Sequence, residues 1–386
     1  MRVAVVGGSG EMGSAASYDL VRSEGVEEIV LLSRSAKKEN LHPKLASSDK
    51  VAVKNVDVLN TDQLVSELKG FDVVVNCVGP FYSTGYKVVQ AAIKAGVNYV
   101  DIDDDYDSVK IMLDPELDRQ AKEAGITVLY SMGADPGTGN ILAKMACDQM
   151  DRVDTVDFFW VLGASDCKGK AVWEHVLHMN TGMVPQFIDG KLQDVPAGSE
   201  GEVVEFLEPF GPCEVHFVGH PEPLTFPQFY KDKGVKRVIN KGGMLPHWVN
   251  EAIKVQNQWG FTGTEPIEVE GHSLPPRELA LELWRQRPPQ GELGDYTSGV
   301  KVEVKGSRGE EELKISYDIA GNTAPGTGIP ASIGAQMIAR GDVKEKGVLP
   351  PEACIDPETY LKEFVKRKAM IYESREAKRI IQKEKK

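Results

Sequence analysis

Arg2-Val-Ala-Val-Val-Gly7-Gly8-Ser9-Gly10-Glu11-Met12-Gly13 opens the chain, and its reading decides the fold. A β-branched run meets a glycine-rich turn, and a helical pattern follows from about Met12 to Ser23. Strand, glycine turn, helix is the order that a dinucleotide fingerprint requires. Gly7 and Gly8 allow a tight turn off the strand, Gly10 lets backbone amides approach a pyrophosphate, and Gly13 lets the helix lie close on the sheet. The free N–H groups and positive dipole end of that helix face the phosphates, which brings Ser9, Glu11 and Met12 into the candidate cofactor loop. The residues satisfy both Gly-x-Gly-x-x-Gly (Gly8, Gly10, Gly13) and Gly-x-x-Gly-x-x-Gly (Gly7, Gly10, Gly13), so the subclass stays open. A glycine turn with no ligand is the competing reading; the strand before it and the helix after it favour a nucleotide.

Glu28-Ile-Val-Leu-Leu-Ser33-Arg34-Ser35 reads as a second buried strand. Its end falls about 20 residues past Gly13, where the ribose-reading residue is expected. A carboxylate there would accept from the hydroxyls of NAD. Ser33, Arg34 and Ser35, with Lys37 and Lys38 behind them, instead suit a 2′-phosphate, so NADP(H) is expected, with NAD(H) the alternative. A third strand is expected over Val53–Val58, with Asp57 at its end placed to accept from the adenine amino group and Val58 beside it. Thr61 opens a short helix to Leu68. A fourth strand from Phe71 runs into Asn76-Cys77-Val78-Gly79-Pro80, and a helix from about Gly85 to Ala95 follows. Strands at Tyr99-Val-Asp101 and Ile126–Tyr130 flank a helix over Pro115–Glu123. This alternation on short connections means a doubly wound parallel sheet faced by helices, with the ligand crevice at the carboxyl ends of the strands.

At Gly133-Ala-Asp135-Pro136-Gly137-Thr138-Gly139-Asn140 the texture becomes turn-rich, with Asn140 a natural N-cap for a helix over Ile141–Gln149. The expected organisation is a dinucleotide-binding domain over 1–132, an inserted α+β domain of antiparallel strands and a few helices over 133–325, and C-terminal helices over 326–386 returning to the first domain. The basic tail beyond Lys366 reads as a solvated helix end or frayed terminus.

The chain has 386 residues and a formal charge of −13, which argues against nucleic acid or an anionic membrane as partner. No apolar run approaches the ~20 residues that span a bilayer. Its first residues read as strand, so no leader is expected. The five cysteines are scattered without Cys-x-x-Cys, and the cytoplasm is the expected compartment.

Together these stretches resemble the saccharopine dehydrogenase-like reductases. The resemblance rests on Gly7–Gly13, Val75-Asn-Cys-Val-Gly-Pro-Phe81, Tyr99-Val-Asp101, Ala134-Asp-Pro-Gly-Thr-Gly-Asn140, Gly219-His-Pro-Glu222-Pro, Gly328-Ile-Pro-Ala331 and Asp356-Pro-Glu-Thr-Tyr-Leu-Lys-Glu363. It implies a Rossmann domain with an inserted α/β domain that often mediates dimerisation, hence a homodimer. It also implies NAD(P)-linked chemistry at a carbon–nitrogen bond of an amino acid or polyamine precursor, with Cys77, Val78, Gly79 and Pro80 beside the nicotinamide ribose. Asp103-Asp104-Asp105-Tyr106 and Val161-Leu-Gly163-Ala164-Ser165-Asp166 depart from the family's habit where substrate should bind, so family substrates do not transfer directly.

Imine reduction needs alignment of C4 of the nicotinamide and a positive charge on nitrogen. Carboxylates suit that charge, which makes Asp101, Asp103, Asp104 and Asp105 candidates. Asp101, at the strand end, comes first, with Asp104 next. Tyr82, Tyr86 and Tyr106 flank the same edge, and Tyr82 joins the candidate catalytic set. Tyr106-x-x-x-Lys110 matches a short-chain dehydrogenase pattern only formally. His175-x-x-His178 on a helix and His216-x-x-x-His220 on a strand lack a spaced third ligand, so no metal is expected. His175 is a candidate proton shuttle, and Lys170, Arg237 and Lys241 are candidates for a substrate carboxylate. The expected function is NADP(H)-dependent oxidation or reduction of an imine or secondary amine on an amino-acid-like substrate. The alternatives are a C=O or C=C reductase, a non-catalytic NADP(H)-binding redox sensor, and an epimerase with tightly held NAD.

Overall fold

The computed structural model describes residues 1–287, 289 and 296–379. The opening strand β1 (Arg2–Val6) sits inside a seven-stranded parallel sheet with β2 (Glu28–Ser33), β3 (Val51–Asn55), β4 (Val73–Asn76), β5 (Asn98–Asp101), β6 (Thr127–Leu129) and the late strand Gly347–Leu349. The order is β3-β2-β1-β4-β5-β6 followed by Gly347–Leu349, so the direction of winding reverses between β1 and β4. Val3 and Val5 pack into one helix layer while Ala4 and Val6 pack into the other. Burial on both faces explains why these strands read as continuous apolar runs rather than alternating ones.

The turn after β1 is as tight as its glycines predict. Gly7 has φ +76°, a conformation that favours glycine, and a Cβ on Gly13 would lie 2.2 Å from the Gly7 carbonyl oxygen. The helix Glu11–Arg22 therefore starts directly against the turn. The helix Thr323–Arg340 packs along it, and the C-terminal segment is anchored there by a buried ion pair. Arg367 Nε donates to Asp19 Oδ1 and Oδ2 at 2.8 and 2.9 Å, and Ser332 Oγ donates to Asp19 Oδ2 at 2.7 Å.

The second sheet is mixed, not antiparallel as expected. Its path runs Glu202–Glu205, Pro212–Phe217, Arg237–Leu245, Arg152–Gly163, Ser298–Arg308, Glu311–Gly321 and Tyr372–Arg379, with the hairpin Met183–Ile188 and Lys191–Pro196 joined to Arg237–Leu245. Arg237–Leu245 pairs parallel with Arg152–Gly163. That strand and the hairpin were not among the strands expected, because polar residues and glycines break their apolar pattern. The tail is likewise corrected: Tyr372–Arg379 is an exposed edge strand on Glu311–Gly321, where alternating charges suit a solvated edge, and 380–386 lie outside the described residues.

Smaller corrections follow hydrogen bonding. β3 ends at Asn55, leaving Asp57 and Val58 in the turn beyond it. The helix Thr61–Leu68 begins where expected, with Asn60 capping it by accepting from Gln63 N–H. The helix after Pro80 starts at Phe81 rather than Gly85. The helix Thr138–Cys147 starts before Asn140, which sits inside its first turn and accepts from Gly137 N–H. A helix over Tyr106–Met112 follows the aspartate run, and His220 lies beyond the strand that carries His216.

Arg367→Met is expected to lower unfolding free energy by about 3–5 kcal/mol, since it leaves the Asp19 carboxylate buried without its partner; urea unfolding checks this. Gly13→Ala is expected to cost about 1–3 kcal/mol by overpacking and to abolish dinucleotide binding, read by calorimetry.

Candidate active site

A cavity of about 360 Å³ opens where the carboxyl ends of β1, β4 and β5 face the second domain. The Rossmann side contributes Gly10, Glu11, Met12, Cys77, Gly79 and Pro80 to its lining. The remaining cofactor candidates sit in the adjoining turns. Ser9 Oγ lies 2.9 Å from Ser33 Oγ, joining the turn after β1 to the end of β2. Arg34 and Ser35 are exposed there, and Asp57, also exposed, uses Oδ1 to accept from Leu59 N–H. Val58 is buried, and Val78 packs against the turn: a Cβ on Gly7 would lie 2.8 Å from its Cγ2. No side chain caps Gly10 at the start of the helix Glu11–Arg22. A glycine cradle leading into an uncapped helix N-terminus fits a dinucleotide pyrophosphate.

The opposite wall comes from the helix Lys170–Met179, whose His175 meets two aspartates that follow β5. His175 Nδ1 lies 2.7 Å from Asp105 Oδ1, and its Nε2 lies 3.3 Å from Asp104 Oδ2. Burial pushes the His175 imidazole down, but the two carboxylates outweigh it and raise it to about 9. Burial pushes Asp105 up, and the charge and hydrogen bond of His175 overcome it to hold the carboxyl below its usual range. Burial raises Asp104, with His175 opposing. Asp105 Oδ2 also accepts from Phe81 N–H at 2.7 Å and Tyr82 N–H at 3.2 Å, capping the helix that starts at Phe81. One turn further along, His178 Nε2 lies 3.1 Å from Asp107 Oδ2, with its ring stacked on Tyr106.

Asp104 and His175 thus meet in the cavity, while Asp101 and Tyr82 do not. Asp101 is fully buried beneath it, accepting from Ser131 N–H at 2.6 Å, Asp103 N–H at 3.0 Å and the Tyr99 hydroxyl at 2.8 Å. These bonds make it an organiser of the strand ends, and burial raises its carboxyl to about 6. Tyr82 turns outward onto His178 and is exposed. Of the carboxylate-binding candidates, Lys170 lines the cavity; Arg237 pairs with Asp157 at 3.0 Å and Lys241 with Glu202 at 2.6 Å. Lys168, not singled out in the sequence, lies at the cavity lip, 3.7 Å from Glu11.

A second polar cluster, Asp135, His220, Glu222 and Asn240, went unrecognised. The sequence marked Asp135 and Glu222 only as parts of the resemblance and His220 also as a metal candidate set aside, and Asn240 gave no signal because no strand was expected there. Asp135 and His220 line the cavity; Glu222 and Asn240 are buried behind them. Among the described residues two groups have donor atoms close enough for a cation: Asp104, Asp105 and His175, and Asp135, His220 and Glu222. In the second, Asn240 Nδ2 donates to Asp135 Oδ2 at 3.0 Å and to Glu222 Oε2 at 3.1 Å, filling the place a cation would take.

The ion pair at His175 contributes stability in full below its unfolded-state pKa of about 6.5. That contribution is lost as pH rises through about 9. The unfolding free energy of the wild type is expected to fall by up to about 3 kcal/mol between about pH 6.5 and pH 9, read by urea unfolding, with a flatter profile for His175→Gln.

Comparison with known proteins agrees with this architecture. The saccharopine dehydrogenase NADP binding domain matches residues 3–129, and the saccharopine dehydrogenase C-terminal domain matches residues 133–369. Carboxyaminopropylagmatine dehydrogenase of Synechocystis sp. is 22% identical over 391 residues, covering 94% of both chains. Carboxynorspermidine synthase of Vibrio alginolyticus is 25% identical over 355 residues, covering 84% of this chain and 82% of its own. In fold, the chain is similar to the apo L-Glu-forming saccharopine dehydrogenase of Saccharomyces cerevisiae, with TM-score 0.69, 16% identity, and 97% and 99% of the two chains covered. The chain belongs to the saccharopine dehydrogenase family of NAD(P)-dependent oxidoreductases.

Proposed function

We propose that the protein is an NADP(H)-dependent oxidoreductase of a C–N bond, an imine or secondary amine, on an amino-acid-like substrate. The observation that carries this reading is one cavity lined by the dinucleotide loop, the Gly79-Pro80 turn, and the acidic Asp104–Asp105–His175 cluster. A bound nicotinamide dinucleotide supplies the hydride donor or acceptor on the Rossmann side. With His175 protonated and both aspartates ionised, the cluster across the cavity mouth carries a net negative charge, which favours a cationic substrate nitrogen over a neutral carbonyl. Asp104 is the carboxylate that faces that nitrogen, and His175 fixes its place. Lys168 and Lys170 offer ammonium groups to a substrate carboxylate at the cavity's edge. The names of the two relatives, a dehydrogenase and a synthase of carboxylated polyamines, support the same chemistry.

NADP(H) over NAD(H) rests on Arg34 between two serines, exposed at the end of β2. Residues 1–132 hold the dinucleotide, 133–325 supply the substrate side, and the helices of 326–366 return to the first sheet. The protein works as a homodimer in the cytoplasm. Unpaired cysteines are in keeping with that compartment, and exposed Trp248, Trp259 and Leu283 are in keeping with a covered face.

Incubation with NADPH and a panel of amine and keto-acid pairs is expected to oxidise NADPH with at least one pair; tight binding without turnover across the panel would leave the sensor reading in its place. Arg34→Asp is expected to weaken NADPH at least about tenfold more than NADH by calorimetry, the charge-assisted bonds to a 2′-phosphate being lost. Equal loss for both coenzymes refutes the phosphate assignment.

A further inference from the structure

We propose that His220 and Glu222 act as one neutral proton relay for the substrate nitrogen, with His220 Nε2 the atom that exchanges the proton. This rests on the C–N reading above and adds the group that makes it reversible.

The geometry begins with an indole. The Trp160 Nε1–H can only donate, and it donates to Asn240 Oδ1 at 2.9 Å. That fixes the orientation of the Asn240 amide, so its Nδ2 faces the two carboxyls, 3.0 Å from Asp135 Oδ2 and 3.1 Å from Glu222 Oε2. Asn240 is held in turn by its own N–H, which donates to Gln186 Oε1 at 2.9 Å. Two carboxyls sharing one amide in a buried site do not both ionise. Glu222 is fully buried, and both its oxygens approach His220 Nδ1, at 3.1 and 2.9 Å. His220 Nε2 takes no hydrogen bond among the described residues, is not sealed from solvent, and belongs to a ring that lines the cavity. The groups facing this ring are Asp135, Glu222, Asp104, Asp105 and His175, the last with its ring centroid 6.2 Å away, and Glu222 is itself faced by Asp135 and Glu352.

The two imidazoles of this cavity are pushed apart in charge. His175 is held cationic by its aspartates, whereas burial lowers His220 and raises Glu222 to about 8. At neutral pH the pair therefore holds two protons as a neutral acid and a neutral ring: Glu222 donates O–H to Nδ1, and Nε2 carries the other proton. In the reductive direction the hydride electron pair from NADPH forms the new C–H bond at the iminium carbon and the C=N pair returns to nitrogen, which takes the Nε2 proton to become an ammonium while the Glu222 proton moves to Nδ1. Oxidation runs in reverse. Nε2 takes the proton of the substrate ammonium, Nδ1–H returns its proton to Glu222, and the C–H electron pair leaves to NADP⁺ as the C=N bond forms. Neither direction builds an uncompensated imidazolium in the buried site.

Two variants and one spectrum test this. Glu222→Gln keeps the side-chain shape but cannot pass a proton, and His220→Gln removes the exchanging atom; each is expected to lower kcat/KM by about 10²–10⁴-fold in both directions, with NADPH affinity unchanged. In the wild type the reductive kcat/KM falls, and the oxidative kcat/KM rises, as pH passes through about 8, and Glu222→Gln loses this dependence. Retention of kcat/KM within about threefold in both variants, against the general-acid contribution expected, overturns the relay and leaves the C–N reading standing. Imidazole nitrogen and carboxyl carbon resonances read the proton states without turnover. A neutral His220 with Nε2–H at about pH 7 supports the relay, and a cationic His220 there overturns it even if no substrate is found.

Discussion

The Asp105 carboxylate holds the two halves of the cavity in register. One oxygen accepts from the first two amides of the helix that begins at Phe81, and the other accepts from His175 of the second domain. Pro80, which precedes that helix, offers no side-chain cap, so the orphan amides are satisfied from a distant loop. The position of the Gly79-Pro80 turn relative to the opposite wall thus depends on one acid. Its ionised state depends on the imidazolium across from it, which outweighs the cost of burying the charge. A neutral side chain at either position would leave the other without the group that justifies its burial.

Charge is sorted within the cavity rather than spread through it. Asp104, Asp105 and His175 form a cluster that stays ionised because opposite charges lie within 3.3 Å. Asp135, His220 and Glu222 form one in which burial raises both carboxyls and lowers the ring, around a single shared amide. The first cluster is also the more open to solvent, at Asp104, while His220 and Glu222 are buried; partners and burial together decide the outcome. Pairs of titratable groups driven apart in this way mark acid–base chemistry more clearly than any one shifted residue.

The parallel sheet was legible because its requirements are local. Gly7, Gly10 and Gly13 stand between a β-branched run and a helical pattern, and steric contact at 2.2 Å shows why nothing larger serves at Gly13. Asp101 was misplaced for a reason of geometry: a strand end points at the crevice, but the chain bends back there, and the Ser131 and Asp103 amides take the side chain down into the sheet. Asp104, three residues on, emerges into the cavity instead. Three aspartates in a row suggest a solvated acidic helix start; the helix Tyr106–Met112 does follow them, but Asp103 and Asp105 are both buried. The second domain's site was the least legible, since its chemistry is assembled across elements far apart in sequence.

The strand Arg237–Leu245 shows why that assembly left so little trace. Asn240, Lys241, Gly242 and Gly243 in succession argue for a loop by composition. In the sheet, Gly242 is paired with Trp160 on the neighbouring parallel strand, and a Cβ there would lie 2.0 Å from the indole ring. Only the missing side chain lets the indole lie across that strand, and from there its N–H reaches Asn240, two residues back. The glycine is a platform: it sets the indole, the indole sets the amide, and the amide holds the two carboxyls behind His220. A residue whose composition signals a break is thus the one on which the polar wall of the cavity is built. This dependence passes through close packing between strands, which no spacing along the chain records.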